Sequence, residues 1–371
     1  MRASRSGVAV SACAVAVAVA VAVAGLLAVA VAPARGKAAC PKPRSRSLIL
    51  VSARTGRVDR SFPDTDLPPL AMVTDGRGGW FVGGDVSCVG RVRVNGLVHL
   101  RPDGRLDRRW HTRVPCVPIA GGVAQLARVG DTLYVNNGSW VEALDARSGA
   151  RRWLDTNLKG GWGLGLAANP DTVFVGGYGG SKFHGTPHPA PVALDARTGK
   201  VLRWHAALPR RFVNVASLAL YRGRLYMDVS AANGFTATVL AVDANTGRVT
   251  GWRAPQIKEI GGLLVTHGLV FSAAQDGNSA VANAGTGRPV SFPGAERYTG
   301  LTTLAAAGNT LYAWSGQGCN QGPFTIQGEN RDVAAIDLRT LRVTSWAPVL
   351  GKRCVCVGRI AADRNRVLVA S

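Results

Sequence analysis

Apolar and polar residues alternate with a period of two along most of this chain, and short turns rich in glycine interrupt the alternation. One pattern recurs, in which Asp-x-x-Thr-Gly separates two alternating stretches and an aromatic residue follows, as in VALDARTGKVLRW (192–204) and LAVDANTGRVTGW (240–252). Two apolar alternations joined by a short glycine turn predict a β-hairpin. Asp-x-x-Thr-Gly is therefore interpreted as a turn rather than as a catalytic motif.

Seven copies of this hairpin follow one another. Their turn positions run from 56 to 341 in six intervals of about 47 residues, which is a typical length for a propeller blade. The turn positions are occupied by Gly56, Gly104, Gly149, Gly199, Gly247, Gly287 and Leu341. In six of the copies one aromatic residue is predicted to pack on the outer strand, and the series is Trp110, Trp153, Trp204, Trp252, Phe292 and Trp346.

A second element, x-L-x-x-x-G-x-x-L/V-aromatic-V, also occurs seven times and predicts the two inner strands of each blade. The chain starts with an outer hairpin at 47–62 and ends with an inner hairpin at 357–371, so their pairing would complete one blade and leave no free sheet edge. The fold class predicted is all-β, a seven-bladed β-propeller closed by pairing of the N- and C-terminal strands. The six continuous blades are placed at 71–112, 121–156, 161–206, 213–254, 259–295 and 300–348.

The N-terminal residues differ in composition from the rest. Arg2 and Arg5 precede an uncharged Ala/Val run, which is typical of an export signal, although the run is also long enough to span a bilayer. We therefore divide the chain into a signal peptide at 1–34, cleaved or kept as an uncleaved anchor, a linker at 35–46, and a single propeller domain at 47–371. The domain is expected outside the cytoplasm, secreted or associated with the cell envelope.

Charge changes the choice of partner rather than the fold. The chain has 44 Lys+Arg against 22 Asp+Glu, a net charge of +22 that becomes +20 without the signal, while 47% hydrophobic residues exclude a disordered chain. The excess of basic residues predicts either a generally basic solvated surface or attraction to anionic wall polymers or lipid headgroups. Nucleic acid is not expected as a partner of an exported protein, contact with a membrane would come only through an uncleaved N-terminal segment, and a monomer is expected.

Six cysteines remain after Cys13 is set aside with the signal, and an even number in an exported chain indicates disulfides. Strand order places all six on the face of the ring that carries the connections from second to third strands. The pairs expected are Cys88 with Cys116, Cys319 with Cys354, and Cys40 with Cys356, with Cys354 and Cys356 exchangeable. A redox or metal role is disfavoured, because Cys354 and Cys356 lack the C-x-x-C spacing.

The same face is the candidate ligand face, because it carries three long loops at 86–97, 178–191 and 315–331. His184 and His188 are four residues apart and are either metal ligands or members of a solvated polar loop. Asp85 either binds a cation or caps a turn. The remaining candidates for ligand contact are Tyr178, Gln317, Asn320 and Glu329.

The repeated VALDARTGKVLRW closely resembles the outer-strand signature of PQQ-like repeats in the quinoprotein alcohol dehydrogenase-like propellers, and the segment WFVGGDVSCVG…LVHLRPDGRLDRRW (80–110) is similar to the repeat of secreted bacterial propellers. The resemblance covers nearly all of 47–371 and implies the fold. Quinone-dependent members of that superfamily have eight blades, adjacent cysteines and a calcium ion held by carboxylates and amides, none of which matches here.

The chain also lacks a nucleophile elbow, a P-loop, a dinucleotide fingerprint and HEXXH. No catalytic, cofactor-binding or metal-binding residue is assigned. The function expected is a non-catalytic propeller that binds or scaffolds an extracellular or cell-envelope protein, or an anionic wall polymer, through its loop face. The alternative is a divergent quinoprotein-like oxidoreductase that uses PQQ with calcium.

Overall fold

The structure of this chain is a computed structural model. It describes residues 40, 46–112, 123–159, 165–178, 182–184, 186–187, 191–232, 237–253, 262–273, 280–291, 301–315, 324–326, 329–331, 333–350 and 357–371. Every regular element in these residues is a β-strand, and among them no helix is long and apolar enough to cross a membrane. The predicted signal peptide lies outside the described residues.

The strands of the described residues are short and follow one another closely. The first ten are β1 (Leu48–Ser52), β2 (Val58–Asp59), β3 (Ala71–Thr74), β4 (Trp80–Gly83), β5 (Cys88–Val89), β6 (Val92–Arg93), β7 (Leu97–Leu100), β8 (Gln125–Val129), β9 (Thr132–Asn136) and β10 (Val141–Asp145). The next eleven are β11 (Arg151–Asp155), β12 (Leu158–Lys159), β13 (Leu166–Ala168), β14 (Thr172–Val175), β15 (Lys182–Phe183), β16 (Thr186–Pro187), β17 (Val192–Asp195), β18 (Phe212–Tyr221), β19 (Arg224–Ala231), β20 (Ala237–Asp243) and β21 (Val249–Arg253). The last ten are β22 (Gly262–Thr266), β23 (Leu269–Ala273), β24 (Ala280–Asn283), β25 (Leu301–Ala307), β26 (Thr310–Ser315), β27 (Phe324–Ile326), β28 (Glu329–Arg331), β29 (Ala334–Asp337), β30 (Arg359–Ala362) and β31 (Arg366–Ala370).

Eight of the sheets in the described residues have three or four antiparallel strands. One of these is the β12-β15-β16 sheet, and the other seven form the ring and are numbered here as blades. Their strand orders are β3-β4-β7 for blade 1, β8-β9-β10-β11 for blade 2, β13-β14-β17 for blade 3, β18-β19-β20-β21 for blade 4, β22-β23-β24 for blade 5, β25-β26-β29 for blade 6 and β30-β31-β1-β2 for blade 7. In the three-stranded blades the position of the fourth strand is occupied by a segment that forms one isolated β-bridge with the third strand, such as the bridge between Leu100 and Leu106.

The blades form a ring that the two chain ends close. The first strand of each blade contacts the first strand of the next, from β3 through β8, β13, β18, β22, β25 and β30 back to β3. In blade 7, β1 pairs antiparallel with β31, so Leu48 lies opposite Ala370 and Ser52 opposite Arg366. The N- and C-terminal strands therefore share one sheet, as the repeat order predicts.

The hydrophobic core lies between the blades rather than inside any one of them. The described residues form seven buried clusters, and each combines side chains of two neighbouring blades. Phe174 of blade 3, for example, packs with Leu225 and Met227 of blade 4. Each blade therefore depends on both of its neighbours for burial, which makes a closed ring more stable than an open array.

The predicted turn motif has the expected geometry. Asp195 Oδ1 accepts hydrogen bonds from the backbone N–H of Thr198 at 2.7 Å and from its hydroxyl at 2.7 Å. These hydrogen bonds keep the pKa of Asp195 below its usual range. Gly199 follows with φ of +72°, a value that favours glycine, and Leu341 takes the same conformation in blade 6 with φ of +55°. The turns are thus held by Asp and Thr side chains and by a left-handed residue.

The outer aromatic series connects neighbouring blades. Trp153, Trp252 and Trp346 each donate an indole N–H to a backbone carbonyl of the following blade, at 2.8–2.9 Å. Each also contacts the aromatic residue of the second strand in its own blade, as Trp252 contacts Tyr226 with ring centroids 5.1 Å apart. Trp110 is buried against Phe81 in the same way, whereas Phe292 lies outside the described residues. The packing role predicted for the series is confirmed where it is described.

Candidate functional site

One end of the ring carries the long loops. Neighbouring strands within a blade are antiparallel, so the connection from second to third strand and the connection to the next blade leave the same end, which we call the loop face. All three loops predicted to be long contain hairpins at this end: β5–β6 in blade 1, β15–β16 in blade 3, which joins β12, and β27–β28 in blade 6. The loop face is therefore where this chain departs from a simple propeller.

The candidate residues occupy different parts of the loop face. Asp85 is exposed in the turn before β5, and Tyr178 is 38% exposed after β14. Glu329 begins β28, where its backbone pairs with Ile326. His188, Gln317 and Asn320 lie outside the described residues.

His184 has a structural partner on a neighbouring blade. Its Nε2 lies 2.8 Å from Asp155 Oδ2, and its backbone N–H donates to the carbonyl of Asn157 at 3.1 Å. Asp155 is the last residue of β11 in blade 2, so the pair ties the inserted loop of blade 3 to blade 2. The solvated and metal-binding interpretations of His184 both missed this contact.

The structure corrects the predicted disulfide pairing. Cys88 is bonded to Cys40, with the two Cα atoms 5.9 Å apart, so the expected pairs Cys88 with Cys116 and Cys40 with Cys356 are wrong. Cys40 precedes β1, the third strand of blade 7. At the loop face it meets the β5–β6 hairpin of the neighbouring blade 1, where Cys88 begins β5. The remaining four cysteines, Cys116, Cys319, Cys354 and Cys356, lie outside the described residues.

Two carboxylates strengthen the junction between blades 7 and 1, which we call the seam. Asp64 Oδ1 accepts the backbone N–H groups of Ser47 and Leu48, at 2.8 and 3.1 Å, just before β1. Asp66 Oδ1 accepts those of Ser87 and Cys88, both at 3.0 Å. The connection between the two blades is thereby attached to the chain start on one side and to the β5–β6 hairpin on the other.

A ring of mostly small or uncharged side chains surrounds the central channel near its loop-face mouth. Strand register identifies its members. The second strand of each blade carries a buried aromatic residue or leucine, and the ring member on the first strand lies opposite the residue two positions after it. In blade 4, for example, Ser217 lies opposite Asp228, two positions after Tyr226. We call this set the mouth ring, and its members are Ala71, Gln125, Gly165, Ser217, Gly262, Thr303 and Arg359. Four of them begin a first strand, which places the ring at the loop-face end of the channel.

An apolar layer lies one residue further along each first strand. We call it the collar, and its members are Met72, Leu126, Leu166, Leu218, Leu263, Leu304 and Ile360. A cavity of about 180 Å³ is lined by six members of the mouth ring and five members of the collar. The channel therefore has a polar entrance above an apolar constriction.

Arg359 is the one charged side chain among the described residues that line this cavity. Its Nε–H donates to the carbonyl of Leu70 at 2.8 Å and one Nη1–H donates to that of Gly358 at 3.1 Å. Burial lowers the pKa of Arg359 below its usual value. The sequence analysis missed Arg359. A sequence signal for it exists, because Arg359 is the one charged residue at the mouth-ring position among the seven copies of the inner-strand element.

Large apolar side chains are also exposed at the loop face. Leu67 and Leu70, in the connection between blades 7 and 1, are 48% and 40% exposed. Tyr178 lies beside Gly177, which bridges to Val215 at the loop-face end of β18. Exposed apolar groups on one surface indicate a contact site more strongly than single scattered ones.

A cluster of ionisable groups at the other end of blade 1 is structural. His99 Nε2 lies 3.0 Å from Asp75 Oδ2, and its Nδ1 lies 3.0 Å from Asp107 Oδ2. Burial alone would raise the pKa of Asp75, but hydrogen bonds from His99, Arg77 and Gly79 outweigh it and keep that pKa below its usual range. These three side chains satisfy one another, and the described residues contain no group of three or more His, Cys, Asp or Glu arranged to hold a metal ion.

Comparison with known proteins supports the architecture. A family model described as Outer membrane protein assembly factor BamB matches residues 137–228 and 183–291. The computationally designed Ika8 protein is 15% identical with a TM-score of 0.52, over 88% of this chain and 94% of that one. BamB from Moraxella catarrhalis is 16% identical with a TM-score of 0.48, over 90% and 92%. No curated protein sequence matches the chain.

The repeats, the ring of blades and the matched family model define the class. This chain is a β-propeller built from PQQ-like repeats. At identities of 15–16% the likeness to the solved structures concerns the fold alone.

Proposed function

We propose that this chain is a non-catalytic propeller, exported to the cell envelope or beyond, that holds a partner protein against its loop face. The observation that carries the proposal is the exposure of Leu67, Leu70 and Tyr178 in connections at the loop face. Solvent exposure of large apolar side chains is unfavourable, and gathering them on one rigid surface is typical of a protein contact site. The partner would cover these side chains.

The inserted hairpins support the same surface. Loops on a rigid scaffold vary freely and carry function, and β5–β6, β15–β16 and β27–β28 all project from the loop face. The family model that matches this chain is described as an assembly factor, a description consistent with a protein that acts by holding others.

Export is supported by two independent features. The Cys40–Cys88 disulfide requires an oxidising compartment to persist, and the apolar run after Arg5 has the composition of an export signal. The net charge of +22 favours a second candidate for the partner, an anionic wall polymer. Salt distinguishes the two, because charge attraction weakens at high ionic strength and apolar contact does not.

The quinone alternative finds no support in the channel. Calcium takes six to eight oxygen ligands and usually draws on carboxylates. The polar side chains of the described channel lining are Gln125, Ser217, Thr303 and Arg359, with no carboxylate among them. These residues do not fit PQQ held with calcium, so we derive no chemical step through that cofactor.

Site-specific photo-crosslinking tests the proposal. A photoreactive amino acid would replace Leu67 or Tyr178 in the full chain expressed in its source cells. Val201, an exposed apolar residue on the outer strand of blade 3, is the matched control at 36% exposure. We expect protein adducts at 67 and 178 that persist at 1 M salt, and none at 201.

Equal adduct yields at 67, 178 and 201, or no protein adduct at all, would contradict the loop face as a protein-binding surface. Retention of the chain on purified cell wall that disappears at high salt, without protein adducts, would support the polymer instead.

A further inference from the structure

Arg359 places a positive charge at the mouth of the channel, and it takes part in none of the ion pairs found among the described residues. Its two hydrogen bonds go to neutral backbone carbonyls. A guanidinium has five N–H donors, so three remain for another partner. The other polar members of the mouth ring that line the cavity, Gln125, Ser217 and Thr303, are uncharged.

A guanidinium with unused donors and no counter-charge can form charge-assisted hydrogen bonds to an anion. Burial lowers the pKa of Arg359 below its usual value. Thr303, another polar member of the ring, donates its hydroxyl to the carbonyl of Gly358 at 3.1 Å. An anion beside Arg359 would supply a counter-charge.

The collar limits what else the ligand contains. Leu166, Leu218, Leu263, Leu304 and Ile360 line the same cavity, whose volume is about 180 Å³. The ligand is therefore small, with an anionic end at the mouth ring and an aliphatic end at the collar.

We propose that the channel mouth binds a small aliphatic monocarboxylate, with its carboxylate on the free N–H groups of Arg359 and its hydrocarbon end against the collar. Carboxylate fits better than phosphate for two reasons. The planar fork of a guanidinium matches two carboxylate oxygens, and one cation balances one negative charge but leaves a dianion uncompensated. The carboxylate has two sources, a free acid or the C-terminus of a polypeptide that ends in an aliphatic residue.

This site is distinct from the protein-binding surface and does not depend on it. Binding to the channel is measured with the purified mature domain alone, whereas the loop-face proposal is measured by crosslinking in cells. Failure of either measurement leaves the other interpretable.

Titration with 3-methylbutanoate, followed by NMR chemical shifts, tests the site. The matched probes are 3-methylbutan-1-ol, which keeps the hydrocarbon and lacks the carboxylate, and inorganic phosphate. We expect saturable binding of 3-methylbutanoate that is about ten-fold or more tighter than that of either probe, because a charge-assisted pair contributes about 1.5–3 kcal/mol. Equal binding of the alcohol, tighter binding of phosphate, or no saturation by 3-methylbutanoate would overturn the proposal.

Two variants assign the binding to Arg359. Arg359→Gln should weaken 3-methylbutanoate binding about ten-fold or more, while Arg364→Gln, which removes an exposed charge from the β30–β31 turn of the same blade, should leave it unchanged. Gln125→Glu adds a negative charge to the mouth ring with Arg359 intact and should also weaken binding. Unchanged affinity in a folded Arg359→Gln or Gln125→Glu protein would overturn the assignment.

Peptides distinguish the two sources of the carboxylate. Gly-Gly-Leu with a free C-terminus and the same peptide amidated would be titrated alongside the free acid. Binding of the free peptide but not the amide supports a polypeptide C-terminus as the ligand. Binding of 3-methylbutanoate alone supports a free acid, and binding of all three compounds would contradict recognition of a carboxylate.

Discussion

Asp228 in β19 is a buried carboxyl group to which no described residue donates a hydrogen bond. The residue is 1% exposed, and neither side-chain oxygen accepts a hydrogen bond. It points to the same side of the sheet as Tyr226, which packs with Val270 of blade 5, so Asp228 faces the interface between blades 4 and 5. Burial raises the pKa of Asp228 well above the usual value of an aspartate.

Asp228→Asn should stabilise the protein in a pH-dependent way. Between the usual pKa of an aspartate and the raised pKa in the fold, the unfolded chain has lost a proton that the folded chain retains, so the stability of the wild type falls as pH rises. The variant does not titrate. At pH 8 we expect its free energy of unfolding to be higher than that of the wild type, because the wild type has lost stability over this pH range and the variant has not.

Urea unfolding at several pH values from about 2.5 to 8 measures this difference. The gain should shrink as the pH falls toward the usual aspartate pKa of about 3.9 and vanish about one unit below it, where both states of the wild type bind the proton. Exposed Asp171→Asn is the control and should show no pH-dependent gain. A constant difference across the pH range would contradict a raised pKa at Asp228.

Single residues also mark the limit of sequence reasoning here. The chain contains many arginines, and nothing local distinguishes Arg359 from the others. Its importance arises because six other strands present Ala, Gln, Gly, Ser, Gly and Thr at the same height in the channel. A comparison of the seven inner-strand copies position by position would have revealed the exception.

At the scale of the element, the hairpin turns were predictable because their determinants are close in sequence. Asp195, Thr198 and Gly199 lie within five residues and form their hydrogen bonds without help from another blade. The indole donors were not predictable, because their acceptors belong to the next blade. Trp153 donates to the carbonyl of Ala196, 43 residues away, while the indole N–H of Trp110 has no acceptor in the described residues.

Replacing these tryptophans by phenylalanine should separate packing from hydrogen bonding. Trp153→Phe and Trp110→Phe both remove an indole from a buried site, but only Trp153→Phe removes an interblade hydrogen bond. We expect Trp153→Phe to cost about 1 kcal/mol more than Trp110→Phe in thermal or urea unfolding. Equal losses would show that the indole hydrogen bond contributes nothing to blade association.

At the scale of the whole molecule, the ring closes at two adjacent places. The chain has no continuity between β1 and β31, so their pairing inside blade 7 closes the ring, and Arg366 of β31 donates to the carbonyls of Pro102 and Gly78 in blade 1 across that break. The carboxylates of Asp64 and Asp66 and the Cys40–Cys88 disulfide act beside it, where they attach the start of the chain to blade 1.

Removing the disulfide should therefore lower the stability of the whole ring. Cys40 and Cys88 are 48 residues apart, and closing a loop of that length contributes up to about 4 kcal/mol in the chain-entropy estimate. We expect the double variant Cys40→Ser, Cys88→Ser to unfold at a clearly lower denaturant concentration than the oxidised mature protein.

The matched control is the oxidised wild type treated with reductant, which should behave as the double variant does. Peptide mapping without reduction should yield a Cys40–Cys88 cross-linked peptide. A Cys40–Cys356 peptide, or an unchanged midpoint in the double variant, would contradict the stapled seam.

The sequence by itself determined the strands, the turns, the seven-fold repeat and the pairing of the chain ends, because alternation and turn chemistry act over about fifteen residues and the repeat order leaves one incomplete blade at each end. Only the tertiary structure decided which cysteine faces Cys40, that His184 meets Asp155, and that Arg359 stands alone in the mouth ring. These contacts join residues of different blades, so their geometry exists only once the ring has closed.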